Sequence, residues 1–460
     1  MATDLDGKRE PRVLRIGMLG CGVVGGGLVK LLDKHRPDFL RNGFDLRLTR
    51  VAVRNADKKR DCELAGVRLT TDVMSVANAP DIDLLVEVMG GNDLAVEAGC
   101  AALARGIALV SANKAGLARS LPRFVECAQQ GKAAIGFESA AAAHIPIVEV
   151  LERSLACEEI TLIKGVINGS TNYILTFMER SGCEYPAALA DAAAKGFTEA
   201  DPRLDVEGID AAEKLSLLAL KTFGIWFHPD RIHTEGITNI TGADIRLALS
   251  LDHRIKLVAA ARRTPQGLSL RVHPALIHRG ELLADVDSEF NAIILEGPSF
   301  NQLTFLGKGA GQLPTASAVL NDIVRLVRYP QASSLPGFQR AGAESLTLAG
   351  KDSLALCYFV RLGVTEGSDR AVLAGLRKLG LPVLSHSAVD HNGQRFLGVI
   401  TDIVEESRIL AMLPQAATLP GVTSAPVFIR LDKDNYRDIV EREQSAYFGA
   451  SLQRQPGAGV

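Results

Sequence analysis

Two lysines and a run of carboxylates hold most of the chemistry that this sequence offers. Asp210 and Lys214 stand four apart, so on a helix they share one face. That spacing alone also describes a surface ion pair, worth about 0.3–0.5 kcal/mol. The neighbours argue for more, because Leu215, Leu217, Leu218, Ala219 and Leu220 make residues 210–223 a strongly apolar helix and set the pair beside an apolar wall. A lysine in such surroundings is expected to have a lowered pKa and to give and take a proton. Just upstream, Glu199, Asp201, Asp205, Glu207 and Asp210 place five carboxylates in 12 positions. Such a run suits a polar ligand and equally a solvated acidic loop.

These groups need a scaffold, and the N-terminal part reads as one that binds a dinucleotide. An apolar run over residues 12–19 leads into Gly20-Cys21-Gly22-Val23-Val24-Gly25 and then a helix-like stretch over 26–32. Gly20 allows a tight turn, Gly22 lets a pyrophosphate approach the backbone, and Gly25 permits close helix–strand packing. A second strand over 46–53 ends at Arg54, where an NAD-selective fold commonly presents an acid. Arg54 and Lys58 suit the 2′-phosphate of NADP; a solvated cation near Asp57 and Asp61 is the alternative. Strands over 82–88 and 107–110 alternate with helices over 94–105 and 121–130, which implies a parallel sheet. Ligands sit beyond the carboxyl ends of such strands, so Gly90, Gly91, Ser111 and Lys114 should face the same crevice as the glycine turn.

Past residue 150 the pattern becomes mixed, with a strand over 160–166 and helices over 172–180 and 210–223. A second glycine-rich loop, containing Gly309 and Gly311, leads into a helix over 316–328 and suits phosphate or nicotinamide contact, or simple loop flexibility. Residues 354–431 then read as βαββαβ, a ferredoxin-like order. The expected architecture is α/β. A Rossmann-type domain spans 1–150, and a mixed α+β substrate and dimerisation domain spans 151–330, its segment 306–330 packing back on the first. A ferredoxin-like module follows over 350–435, then a mobile tail over 436–460.

Composition narrows the partners. Lys plus Arg is 51 against 53 for Asp plus Glu in 460 residues, a net charge of −2 that lacks the basic excess of a nucleic-acid binder. Seven cysteines are scattered singly, without CxxC pairs, as in a reduced cytoplasmic protein. No signal-like N-terminus or long apolar run is legible, so the expected partner is a small-molecule substrate and not a membrane.

Taken together, GCGVVG at 20–25, VMGG at 88–91, SANK at 111–114, GVINGSTNYIL at 165–175, GFTEADPRLDVEGIDAAEKL at 196–215 and GKGAGQLPTASAV at 307–319 resemble homoserine dehydrogenases. The resemblance covers residues 12–330, with a C-terminal module like the ACT domain that such enzymes often carry. It implies interconversion of L-homoserine and L-aspartate 4-semialdehyde with NADP or NAD, in threonine and methionine synthesis, by a homodimer or higher homo-oligomer. It further implies that Lys114 and Lys214 hold the reacting oxygen and move its proton. Glu199 would hold the amino group, Asp205 and Asp210 the polar end, and Gly169, Ser170, Thr171 and Asn172 the substrate loop. A monovalent cation (sodium or potassium) would sit on the backbone of Glu138, Ala141, Ala143 and Ile145. A related amino-alcohol substrate, and a nucleotide-binding paralogue without turnover, are the rival readings.

Two departures from that family accompany the match. A stretch usually rich in glycine is here Ala140-Ala141-Ala142-Ala143-His144, and any position in it that needs a positive φ would be strained. In the C-terminal module a Pro and a Gly of the usual effector turn are replaced by Arg370 and Ala371, so an assembly role is expected there ahead of amino-acid feedback.

Overall fold

The computed structural model describes residues 10–91, 93–198, 201–330, 346–350 and 355–432. Glu199, the tail over 436–460 and the connector beyond residue 330 lie outside the described residues.

Six strands, β1 (Arg12–Leu19), β2 (Phe44–Ala52), β3 (Arg68–Thr70), β4 (Leu84–Glu87), β5 (Ala108–Ser111) and β6 (Ile135–Gly136), form a parallel sheet in the order β3-β2-β1-β4-β5-β6. The order reverses between β1 and β4, which opens a crevice beyond their carboxyl ends. Helix Val23–Arg41 crosses one face, and helix Gln312–Arg328 returns from far along the chain to pack beside it. Ile16, Met18, Leu28 and Ile323 are wholly buried in this layer. Burial of each is worth roughly 1.5–3 kcal/mol.

The glycine turn is built as its spacing predicts. Gly20 has φ +93°, and a Cβ there would fall 2.7 Å from Met89 Cα. A Cβ on Gly25 would fall 2.5 Å from the Gly20 carbonyl oxygen, so both close approaches require glycine. The helix expected over 121–130 begins earlier, at Lys114, and kinks at Ser120 ahead of Pro122. Pro122 disguises the first turn in the sequence because proline reads as a helix boundary.

A second sheet contains β7 (Leu162–Val166), β8 (His233–Thr234), β9 (His253–Thr264), β10 (Gly267–His278), β11 (Phe290–Gly297) and β12 (Asn301–Lys308). The hairpin β9–β10 pairs His253 with His278 through to Thr264 with Gly267. Sequence reading gave no elements here, because Arg254, Lys256, Arg271 and His273 are buried polar residues that interrupt the apolar alternation. Burial pushes His253 and His273 down to about 4. In the unfolded chain each binds its proton near pH 6.5. Between pH 6.5 and 4 the unfolded state therefore holds more protons, and stability falls as the pH falls. The expected slope is about 1.4 kcal/mol per pH unit for each histidine. Denaturant titrations across that window check it, and replacing His253 by Gln should flatten the slope.

The C-terminal elements are β13 (Ala355–Leu356), β14 (Tyr358–Val364), helix Asp369–Lys378, β15 (Val383–His391), β16 (Gln394–Thr401), β17 (Val404–Glu405), helix Glu406–Ala416 and β18 (Val427–Leu431). The four longer strands are antiparallel in the order β18-β14-β16-β15, with the βαββαβ sequence that was expected. Their sheet is continuous with the second one, since β18 pairs with β10 at Ala275–Arg430 and Leu276–Leu431. Buried charges cross this seam. Arg430 donates to Glu406 and to Glu235 at 2.9 Å each, and Arg271 donates to Glu406 at 2.9 Å. These long-range ion pairs have no signature in local sequence.

Candidate active site

Helix Ile209–Phe223 presents its first turn to a cavity of about 610 Å³ between the two sheets. Its apolar residues anchor it: Leu215, Leu217, Leu218 and Phe223 are buried. That anchoring holds Asp210 and Lys214, both buried, on the cavity wall. Lys214 Nζ donates to Asp210 Oδ2 at 2.8 Å and to the Ile167 carbonyl at 2.9 Å. Lys114, at the start of its own helix, sets Nζ 3.0 Å from Asp210 Oδ1. One carboxylate thus bridges two ammonium groups from different parts of the chain.

At Lys114 the electrostatics run opposite to a lowered pKa. The Asp210 charge outweighs desolvation and raises the pKa, with Glu213 and Asp205 adding to it. Asp210 itself is pushed down: burial opposes ionisation, but Lys214, Lys114 and Asn168 outweigh it. Asp205 is pushed up by burial despite the Asn168 hydrogen bond.

Asn168 was not among the candidates and sits at the centre of the site. Its Nδ2 donates to Asp205 Oδ1 at 2.7 Å and to Asp210 Oδ2 at 3.0 Å, while its Oδ1 caps helix Gly169–Ser181 by accepting from Thr171 N at 2.9 Å. An asparagine just before Gly-Ser-Thr is an N-cap signal, and that could have found it. Glu289 and Lys308, an ion pair at 3.3 Å, also line the cavity and went unnoticed.

Gly169 and Ser170 line the cavity as expected; Thr171 and Asn172 do not. Thr171 is wholly buried and bonds back to Asn168. Asn172 is equally buried, donates to the Val286 carbonyl at 2.9 Å and accepts from Lys256 at 3.0 Å. The helical turn points both inward, so they brace the loop and do not face a substrate.

On the dinucleotide side, Gly22 opens onto free space, so a pyrophosphate can reach the backbone beside exposed Val23 and half-buried Val24. Gly90 and Gly91 take positive φ after β4, where Glu87 accepts from Met89 N at 2.9 Å and Gly90 N at 3.1 Å. Ser111 is displaced from its expected contact: it is buried and donates to Glu87 at 2.8 Å. Arg54 and Lys58 are exposed beyond β2. Gly309 and Gly311 line the cavity, and Gly309 is demanded by packing, since a Cβ would fall 1.7 Å from Asn291 Nδ2. The residues present therefore fit a dinucleotide running from the glycine turn to the lysine pair.

The alanine-rich stretch is strained where the sequence predicts. Ala143 has φ +51° and ψ −111°, and it lines the cavity. Glu138 spends its carboxylate on Val148 N and Glu149 N, each at 2.8 Å, and burial with the Asp322 charge pushes it up to about 8. The Ile145 carbonyl accepts from Ile147 N at 2.8 Å. Any cation here would therefore rest on main-chain oxygens. Replacing Ala143 by Gly is expected to stabilise the protein by about 1–2 kcal/mol through release of backbone strain. Comparison of denaturation midpoints checks it.

A doubly wound domain, a mixed-sheet domain and a cavity with two lysines between them define an NAD(P)-dependent oxidoreductase. A family model described as homoserine dehydrogenase, NAD binding domain, matches residues 20–138, and one described as homoserine dehydrogenase matches 146–324. The homoserine dehydrogenase of Pseudomonas aeruginosa is 34% identical over 92% of this chain and 99% of its own length, and that of Corynebacterium glutamicum is 34% identical over 93% and 98%. The crystal structure of a homoserine dehydrogenase from Thiobacillus denitrificans superposes with a TM-score of 0.84 at 33% identity, covering 92% and 99% of the two chains. A hyperthermophilic archaeal homoserine dehydrogenase in complex with NADPH superposes at 0.58 with 25% identity, over 69% of this chain and 99% of that one. The chain belongs to the homoserine dehydrogenase family. Among the described residues no helix is long and apolar enough to cross a membrane.

Proposed function

We propose that the Asp210–Lys214–Lys114 cluster is where L-homoserine and L-aspartate 4-semialdehyde are interconverted, with NADP preferred over NAD. The observation that carries this reading is the single buried carboxylate bridging two lysines on the wall of the cavity, at 3.0 and 2.8 Å. Lys114, kept as an ammonium by Asp210, holds the reacting oxygen. Lys214, with two N–H spent on Asp210 and the Ile167 carbonyl, turns its third position to the cavity. The N–H of its ammonium protonates the reacting oxygen in reduction, and the lone pair of its free amine takes the hydroxyl proton in oxidation. Asp205 and the Ser170 loop orient the polar end of the substrate, with Glu199 assigned to the amino group. Gly20, Gly22, Gly25, Gly90, Gly91, Gly309 and Gly311 let backbone approach the dinucleotide. When bound, its nicotinamide ring supplies the hydride acceptor or donor.

Arg54 supports the NADP preference, being exposed at the end of β2 with no ion pair among the described residues. The archaeal relative in complex with NADPH points the same way. Changing Arg54 to Asp is expected to lower kcat/KM for NADP+ by about tenfold or more, the weight of one charged hydrogen bond. Turnover with NAD+ should hold or rise. Equal use of both dinucleotides by the unaltered protein would refute the preference.

The monovalent cation is assigned to main-chain oxygens around Ala141 and Ala143. Residues 350–435 are assigned as an ACT-like module for regulation or assembly, and the chain as a cytoplasmic homodimer or higher homo-oligomer acting in threonine and methionine synthesis. Initial rates with L-homoserine and each dinucleotide, with potassium, sodium or neither, test these together. Strain at Ala143, on the cavity wall, favours a related amino-alcohol as the second reading. Faster turnover of such a compound would replace the first.

A further inference from the structure

The dinucleotide turn carries a thiol that the reaction does not use. Cys21 stands between Gly20 and Gly22, and its Sγ lies 3.8 Å from Sγ of Cys62, 41 residues further on. Both side chains are partly exposed. Cys62 belongs to the segment that follows β2, the one that also bears Arg54 and Lys58. It rests against the first turn of helix Val23–Arg41, where a Cβ on Gly26 would come within 3.8 Å of its sulfur. Asp61 pairs with Lys30 on the same helix, so the segment is already docked there.

We propose that Cys21 and Cys62 form a reversible oxidation site that closes the dinucleotide turn, with a low-molecular-weight disulfide such as oxidised glutathione as the oxidant. The Cys62 thiolate attacks one sulfur of that disulfide, giving a mixed disulfide and releasing one thiol. Cys21 then attacks the Cys62 sulfur, forming the Cys21–Cys62 bond and releasing the second thiol. The two protein thiols are oxidised and the external disulfide is reduced to two thiols. Burial and the neighbouring Cys62 push the Cys21 thiol up to about 12, so the first attack does not fall to Cys21. It acts only in the second, intramolecular step, where the nearness of the two sulfurs offsets its small thiolate fraction.

Bond formation must draw the sulfurs together by about 1.8 Å, from 3.8 Å to the length of a disulfide. The turn has little room to move, because a Cβ on Gly20 would fall 2.7 Å from Met89 Cα and one on Gly25 2.5 Å from the Gly20 carbonyl oxygen. The segment after β2 moves instead, carrying its cations toward the turn and narrowing the approach to the Gly22 backbone. Weaker dinucleotide binding is the expected result.

The test oxidises the whole protein with glutathione disulfide, maps disulfides by peptide mass spectrometry and titrates NADP+ and NAD+ directly, without turnover. The expected outcome is a Cys21–Cys62 linkage and a Kd for both dinucleotides raised by about threefold or more. Dithiothreitol should restore it, and C62S and C62A should be insensitive. A linkage at Cys100–Cys127 or a cap on exposed Cys157 instead would overturn the proposal. So would a Cys21–Cys62 linkage that leaves the Kd unchanged, or a loss of binding that persists in C62S.

Discussion

Lys214→Ala should lower kcat by about 10²–10⁴-fold, the range for loss of a positioned general acid–base, while dinucleotide affinity stays unchanged. The geometry sets both halves of that expectation. Lys214 Nζ spends one N–H on Asp210 and one on the Ile167 carbonyl, which leaves the third of its three donors for the cavity. The glycine turn lies beyond the carboxyl end of β1, on separate elements, so truncation should not disturb it. Lys214→Arg should fail to rescue turnover, because a guanidinium keeps its proton at any relevant pH. Single-turnover rates together with a direct NADP+ titration check the split. Retention of more than a tenth of wild-type turnover in Lys214→Ala would remove this lysine from the chemistry.

Asp210→Asn carries the second large effect, on stability and activity together. Its carboxylate is the shared counter-charge of Lys114 and Lys214. Removing one member of a buried ion pair leaves uncompensated charge and costs about 3–5 kcal/mol. The folded pKa of Asp210 lies below its unfolded value, so its contribution is present above the ordinary carboxylate range and is lost as the pH falls through the lower, folded value. The variant should therefore be destabilised at neutral pH and differ less from wild type in acid. Because Asp210 is the main influence raising the Lys114 pKa, the alkaline limb of the rate profile should also move to lower pH. In the double variant with Lys214→Met, part of the lost stability should return, since the two residues are in contact. Urea titrations of wild type, Asp210→Asn and the double variant at pH 7 and below about pH 3 measure the stabilities, and the pH dependence of kcat measures the shift of the alkaline limb.

Local signals made the first sheet legible. The strand read over 12–19 is β1, Arg12–Leu19, because a buried parallel strand is a continuous apolar run and the glycine turn marks its end. The pair Asp210–Lys214 was legible because a four-residue spacing on one helix is itself a geometric statement. Residues 224–306 were not, since β9 and β10 bury basic and imidazole groups whose partners lie on distant loops and helices. Thr171 and Asn172 show the converse limit. A motif places residues in a loop, but the direction of each side chain follows from the helical turn that Asn168 caps.

The sequence by itself determined the dinucleotide turn, the helix with Asp210 and Lys214, the second glycine loop and the positive-φ strain in the alanine-rich stretch. Each depends on residues within a few positions of one another, where backbone sterics and periodicity act. Tertiary structure alone decided that Lys114 meets Asp210 across 96 positions, that Asn168 ties Asp205 to Asp210, that Cys21 lies against Cys62, and that the C-terminal sheet continues from β10. These contacts join segments distant in the chain. They form because burying the apolar faces between them brings polar groups together, and no local pattern encodes which groups those are.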